Sequence, residues 1–357
     1  MFLALKELVH AKKKFALIIA VVVLVSYLVY FLTSLAYGLA SSYTNAVNKL
    51  ESDYVVMTKD ANDNLMMSFM TDADFNNTDV NGDKAKLGLF PAVIKNPETD
   101  SDENDTRLNV YLFGIENESF IRPQDSNATL IDYQVIVSVE LQKEGYALGD
   151  KIALSGYEEQ FVIVGFTEKA TYQTVPVIYV EITTWSKIRF NSDVTVPVYS
   201  GLIIRGLIES IDNSKLEVYT IDDYIFTLPG YTAQVLTFTI MIVFLIIIVA
   251  FVLGIFVYVL TIQKTSMFGV MKAQGISNFY IASSVLLQTV VLVAIGIAVG
   301  LILTEISIFF LKDIVPLATN LLFYVVITAS FFIFALFGGL FSVNAVLKID
   351  PLRAIGG

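Results

Sequence analysis

Four stretches of this chain, Phe15–Asn48, Tyr224–Gln263, Ala273–Thr304 and Ile314–Leu347, each run for more than thirty residues without a charged side chain. A helix rises about 1.5 Å per residue, so about 20 apolar residues cross a hydrocarbon core about 30 Å thick. Each run is long enough to span a bilayer, and four transmembrane helices follow. Composition agrees: 55% of the 357 residues are hydrophobic and 16% are charged, with a mean hydropathy of +0.67, outside the usual range of a soluble domain. Lys12, Lys13 and Lys14 before the first run also suit a secretory signal, but a signal core is about 7–15 residues and this one is far longer, which favours an uncleaved anchor.

Lysine and arginine near helix ends set orientation. Lys6 and Lys12–Lys14 precede the first helix, Lys264 and Lys272 separate the second from the third, and Lys348 and Arg353 follow the fourth. These segments are expected in the cytoplasm, with the residues between helices 1 and 2 outside. The expected division is a cytoplasmic amphipathic leader (1–14), transmembrane helix 1 and stalk (15–48), an extracellular α+β domain (49–223), stalk and transmembrane helix 2 (224–263), a cytoplasmic coupling segment (264–280), transmembrane helix 3 (281–311), transmembrane helix 4 (320–347) and a cytoplasmic tail (348–357). The fold class is thus membrane α-helical, four transmembrane helices with an α+β extracellular domain inserted between helices 1 and 2. The runs of helices 1 and 2 exceed the bilayer core, which predicts that they continue outward as a stalk.

Most of the formal net charge of −11 comes from the outer segment. An acidic surface argues against nucleic acid and against docking on anionic headgroups. NPETDSDENDTR (96–107) reads as a loop, RLNVYLFGI as a strand, and DKIALSGYEEQFVIVGF as a hairpin about a Ser-Gly turn. MSFMTDADF and VELQKEG read as helical. There is no cysteine, so disulfides and cysteine-ligated metals are excluded, and the chain needs no intrinsic cofactor or metal. The single histidine, His10, sits in the leader, which removes histidine triads and HExxH sites. There is no GxxxxGK[ST] loop, so this chain does not hydrolyse ATP by that route: it reads as a non-catalytic membrane component.

Between helices 2 and 3 the segment TSMFGVMKAQGISNFYI has the form of a short helix along the inner membrane face. Met267, Phe268, Val270 and Met271 supply apolar side chains beside Lys272, Gly275 breaks the helix and Ser277 caps the next. TIQKTSMFGVMKAQGISNFYI resembles the K-x-x-E-x-G-V-x-K-A-x-G segment of FtsX/MacB-superfamily permeases, the ending LKIDPLRAIGG resembles their terminal DP-x-x-A signature, and ELQKEGYALGDKIALSGYEEQFVIVGF is similar to a hairpin of their outer domain. Met267 and Phe268 depart from the pattern where many members carry an acidic residue. The start, with LAYGLA and MTKDANDNL, resembles haem-efflux permeases of the HrtB type from Gram-positive bacteria. The resemblance implies a cell-membrane homodimer bound to a cytoplasmic ATP-binding cassette subunit of the HrtA type, which binds and hydrolyses the ATP. It also implies docking through Met267, Phe268, Val270, Met271, Lys272 and Gly275, and haem as transported ligand. The same layout also serves a mechanotransmitter acting on an extracellular partner, or an exporter of a lipid or antimicrobial peptide.

Haem iron needs an axial donor, and without Cys or an outward His the candidates are Tyr, Met or a carboxylate. Tyr27, Tyr30, Ser34, Tyr37 and Ser41 recur every three or four residues and share one face of helix 1. That face is either a groove wall for a flat ring system or a helix–helix interface, and Tyr37 or Tyr43 also suits the aromatic belt. Pro229 and Gly230 predict a turn that aims Tyr231 at the outer membrane face, where it can meet Tyr37 and Tyr43. Tyr172 and Glu51 complete the candidate set.

Overall fold

In the computed structural model residues 12–95, 107–190 and 198–347 are described. The leader up to residue 11, most of the acidic loop and the tail signature lie outside them. The chain forms two compact units, 1–38 with 235–357, and 39–234.

In the first unit, α1 (Lys12–Asn48) is the first of four helices long and apolar enough to cross a membrane. The others are named here in chain order after the outer elements: α6 (Tyr231–Ile262), α8 (Asn278–Leu311) and α9 (Leu321–Leu347), with the short α7 (Thr265–Ala273) between α6 and α8. A core of Ile18, Val22, Val29, Tyr30, Val249, Leu253, Val293, Ile297, Ile327 and Phe331 draws them together. Small residues set the closest approaches, as expected where lipid gives no hydrophobic drive for helices to associate. Gly296 and Gly300, four apart on α8, face Val22 and Ser26, and an added Cβ would lie 2.4 and 2.1 Å from their side chains. The Ser26 hydroxyl donates to the Gly296 carbonyl at 3.2 Å. A Cβ on Gly38 would lie 2.0 Å from the Pro316 carbonyl oxygen, so that position admits no side chain.

The second unit is the β-rich domain between the first and second spans. Its strands are β1 (Tyr54–Thr58), β2 (Met70–Thr71), β3 (Asp79–Lys95), β4 (Leu108–Ile115), β5 (Gln134–Ser138), β6 (Lys151–Leu154), β7 (Gln160–Thr167), β8 (Thr171–Tyr172), β9 (Val175–Glu181), β10 (Val198–Tyr199), β11 (Gly201–Ser210) and β12 (Leu216–Thr220). Helices α2 (Asp72–Asn76), α3 (Glu140–Lys143), α4 (Ile182–Phe190) and α5 (Ile221–Thr227) punctuate them. The order β3-β4-β9-β5-β7-β6 closes on itself, because Ile94 and Lys95 of β3 pair with Leu154 and Ala153 of β6. Closure into a barrel removes the free edges that an open sheet would present. The long β3 serves three neighbours: its first half pairs β11, from Gly88 onward it pairs β4, and its last two residues pair β6. At that switch Gly88 and Gly114 lie opposite each other, and the notch left by the two missing side chains holds the buried Trp185 indole.

The expected RLNVYLFGI strand is β4, the Ser-Gly hairpin is β6–β7 with antiparallel register Lys151↔Val162, and VELQKEG holds α3. MSFMTDADF is not one helix: Met67 ends a 3-10 turn, Met70 and Thr71 are drawn into β2 by pairing with Tyr199 and Val198, and the α-helix starts at Asp72. The second apolar run is not one helix from Tyr224. It divides into α5 and α6, because Pro229 has no N–H to donate and Gly230 adopts φ 83°.

Lys49 follows α1 and is spent inside the outer domain. Its ammonium donates to Asp125 at 2.8 Å, to Thr167 Oγ1 at 2.5 Å and to the Glu168 carbonyl at 2.6 Å. Burial by itself raises the Asp125 carboxyl, but hydrogen bonds from Lys49, Thr167 and the Glu168 N–H outweigh it and hold it below the ordinary carboxylate value.

Candidate ligand site

The Leu228–Pro229–Gly230 turn brings an aromatic cluster together at the start of α6. Tyr43, near the end of α1, donates its hydroxyl to the Pro229 carbonyl, and its ring lies 5.7 Å from that of Tyr231 at 42°. Gly230 adopts φ 83°, which penalises any other residue, although a Cβ there would make only an ordinary 3.5 Å contact with the Tyr43 oxygen. Phe226 meets Tyr231 edge to face with centroids 5.9 Å apart, and Thr232 donates to the Phe226 carbonyl at 3.1 Å, fixing one ring beside the other. Phe226 is 56% exposed, which makes it a large aromatic surface without protein cover. Tyr43 and Tyr231 are half-buried against the domain core.

Behind this layer lies a second one that is closed. The Tyr172 and Tyr224 hydroxyls share a hydrogen bond of 2.9 Å in the core, and Tyr111 meets Tyr172 edge to face at 4.9 Å. Burial is the main cause that pushes the phenols of Tyr172, Tyr224 and Tyr111 above their ordinary value. They stay neutral, and for Tyr172 and Tyr224 the hydroxyls are already engaged. Tyr172, a sequence candidate, therefore sits in the supporting layer. Glu51 is exposed just past α1, in a left-handed conformation at φ 47°.

The expected hydroxyl face of α1 turns toward its neighbours in the membrane unit. The Tyr30 hydroxyl bonds Thr328 at 2.6 Å, Ser34 bonds Tyr324 at 2.7 Å and Tyr27 bonds Ser307 at 3.0 Å. The Tyr37 ring meets Phe323 edge to face at 5.7 Å. Tyr30 and Ser34 are fully covered, so this part of the face is a helix–helix interface rather than an open groove wall. Of the candidate tyrosines, the structure brings Tyr43 and Tyr231 together.

In α7 the apolar residues divide in the same way. Phe268 and Met271 are buried with Ile281, Val285 and Val343, while Met267 and Val270 are exposed. Lys272 is half-buried and Gly275 exposed. Gly275, at φ 85°, ends the helix and the Ser277 hydroxyl accepts from the Tyr280 N–H at 3.3 Å, the stop and cap that the residue types predict.

Sequence reasoning did not single out Phe226, Tyr111, Tyr224 or Gln173. Tyr224 and Phe226 had one local signal: Thr220 followed by Asp223 is an N-cap pair, with the Thr220 hydroxyl accepting from the Asp223 N–H at 3.1 Å, which marks a separate helix before Pro229. Tyr111 and Gln173 come together through the parallel β4–β9 pairing, which no local pattern announces.

Among the described residues no cluster of His, Asp or Glu has the arrangement of a metal site. Residues 239–351 match the family model of the FtsX-like permease C-terminal domain. Along its whole length the chain is similar to proteins named "Putative hemin transport system permease protein HrtB". Two, from strains of Staphylococcus epidermidis, are 28% and 27% identical over 363 aligned positions, and one from Staphylococcus haemolyticus is 23% identical over 362. Each alignment covers 100% of this chain and 99% of the relative. The chain thus combines four apolar helices and a β-rich domain between the first two with a match to the FtsX-like permease C-terminal domain over residues 239–351.

Proposed function

We propose that this chain is the permease subunit of a haem efflux pump, in which a homodimer works with a separate cytoplasmic ATPase of the HrtA type. The observation that carries this reading is the Tyr43–Tyr231–Phe226 cluster: two half-buried phenols and an exposed ring at the outer ends of α1 and α6 offer stacking surface and an oxygen donor to a flat, apolar, iron-bearing ligand. The full-length similarity to hemin transport permeases supports it. Tyr231 is the proposed axial donor because Tyr43 spends its hydroxyl on Pro229. Glu51 is the alternate oxygen donor. Tyr27, Tyr30 and Ser34 hold α1 in the bundle rather than touch cargo.

In the proposed cycle haem enters from the outer leaflet between the outer ends of α1 and α6. ATP-driven closure of the ATPases moves the helices and expels the ligand outward. The ATPase docks on Met267 and Val270 of α7, with Lys272 and Gly275 at its end, while Phe268 and Met271 anchor α7 to the bundle. The leader, α7 and the tail face the cytoplasm in the cell membrane, and the β-rich domain lies outside.

The test is a haemin titration of the purified protein in detergent, followed by visible absorption. Saturable binding with a high-spin, tyrosinate-like spectrum is expected, weakened by Tyr231→Phe and kept by Tyr30→Phe. Absence of binding beyond partition into detergent would reject haem export and turn attention to mechanical coupling to an extracellular partner, or to a lipid or peptide cargo.

A further inference from the structure

The turn between β8 and β9 is made of residues that avoid its geometry. Gln173 and Thr174 both have positive φ, 51° and 67°, where two-residue hairpins usually place Asn, Asp or Gly. Contacts to α1 hold them there. The Gln173 N–H donates to the Tyr43 carbonyl at 2.9 Å and the Thr174 N–H to the Ser42 carbonyl at 3.3 Å. At the base of the turn, Asn45 Nδ2 donates to Thr171 Oγ1 at 3.1 Å. The turn is therefore pinned to the segment of α1 that presents Tyr43, and a conformation this unfavourable persists only where its surroundings impose it.

The Gln173 side chain is only half used. Its Oε1 accepts from the Tyr111 hydroxyl at 3.0 Å, while Nε2 is shielded from water and has the Tyr172 phenol as its one neighbouring acceptor, so at least one of its two N–H groups is left over. The surrounding polar groups are spent: Tyr43 on Pro229, Tyr172 and Tyr224 on each other, Tyr111 on Gln173 itself. An amide N–H without a partner, behind a layer of rings, is the donor left over for an acceptor carried by a ligand.

We propose that the Gln173 carboxamide is the selectivity group of the aromatic site: when a flat tetrapyrrole parts Tyr43 from Tyr231, Gln173 Nε2 donates to one of its carboxylates. This rests on the ligand reading above and adds the polar end to it. A neutral donor binds a carboxylate less tightly than a lysine or arginine would, which suits a site that must release its cargo. Tyr111 is then a positioning residue, holding the amide by its oxygen so that the nitrogen faces the ligand.

The experiment compares haemin with haemin dimethyl ester, which lacks free carboxylates, on the full-length protein in detergent. The ratio of the two affinities, each corrected for partition into protein-free detergent, is compared between each variant and the wild type. The wild type is expected to favour haemin by about tenfold, the size of a hydrogen bond to a charged group. Gln173→Leu should abolish that preference with ester binding unchanged, and Gln173→Glu should reverse it by repelling the carboxylate. Thermal unfolding checks that both variants fold, and Gln173→Glu, which keeps an acceptor for Tyr111, serves if Gln173→Leu is unstable. An unchanged ratio in both variants, or an equal loss for both ligands, overturns the proposal while leaving the site standing. Failure of the wild type to bind either compound overturns the site and the proposal together.

Discussion

Two pairs of tyrosines in the outer domain use the same side chain for opposite ends. Tyr172 and Tyr224 are buried, share one hydrogen bond between hydroxyls and lie in the core that strands β4, β8 and β9 build. Tyr43 and Tyr231 meet ring to ring, half-buried, next to the exposed Phe226, and only Tyr43 spends its hydroxyl within the cluster. A buried phenol whose oxygen is satisfied contributes stability. A phenol on an aromatic surface with its oxygen uncommitted has chemistry left to offer. The difference teaches that residue type alone does not distinguish the closed pair from the open one; burial and the uncommitted Tyr231 hydroxyl do.

The comparison can be broken most forcefully at Tyr224. Tyr224→Ala should open a ring-sized cavity and strand the Tyr172 hydroxyl, lowering stability by about 3–5 kcal/mol in thermal or denaturant unfolding. Tyr231→Phe should leave stability nearly unchanged and weaken haemin binding by about tenfold, read by absorption titration. If Tyr224→Ala is mild or Tyr231→Phe unfolds the protein, the assignment of the two pairs is reversed. Tyr172→Phe should cost about 1 kcal/mol by removing one hydrogen bond. It should also flatten the alkaline limb of the stability profile. Burial raises both phenols in the folded state, so their contribution is complete below the unfolded value of about 10 and is lost as pH rises through the folded values. The smallest effect belongs to the strained turn: Thr174→Gly should stabilise the protein by about 0.5–1 kcal/mol in thermal unfolding, because glycine adopts φ 67° without penalty.

What the residues announce and what they conceal divides along the same physical line. Charge-free length reveals the four spans because the bilayer imposes that length, and alternation about Ser155–Gly156 reveals the β6–β7 hairpin because both strands are local. Gly275 and Ser277 mark the end of α7 and the start of α8 for the same reason. Barrel closure through β3 and β6 depends on residues about sixty positions apart and leaves no local pattern. Helical spacing placed Tyr27, Tyr30 and Ser34 on one face, but spacing does not name the neighbour, and the neighbours are α8 and α9. The meeting of Tyr231 with Tyr43 was legible because Pro229 and Gly230 declare their turn, but Tyr37, the expected third member, packs on Phe323 instead. Gln173 and Tyr111 were not, because the strands that bring them together are distant in sequence.

The central claim is that the open pair, and not the closed one, meets the iron. Visible and resonance Raman spectra of haemin-loaded protein, recorded for wild type, Tyr231→Phe and Tyr172→Phe, test it directly. The account predicts that the iron–phenolate signature disappears in Tyr231→Phe and survives in Tyr172→Phe. A signature that survives in Tyr231→Phe and vanishes in Tyr172→Phe would contradict it.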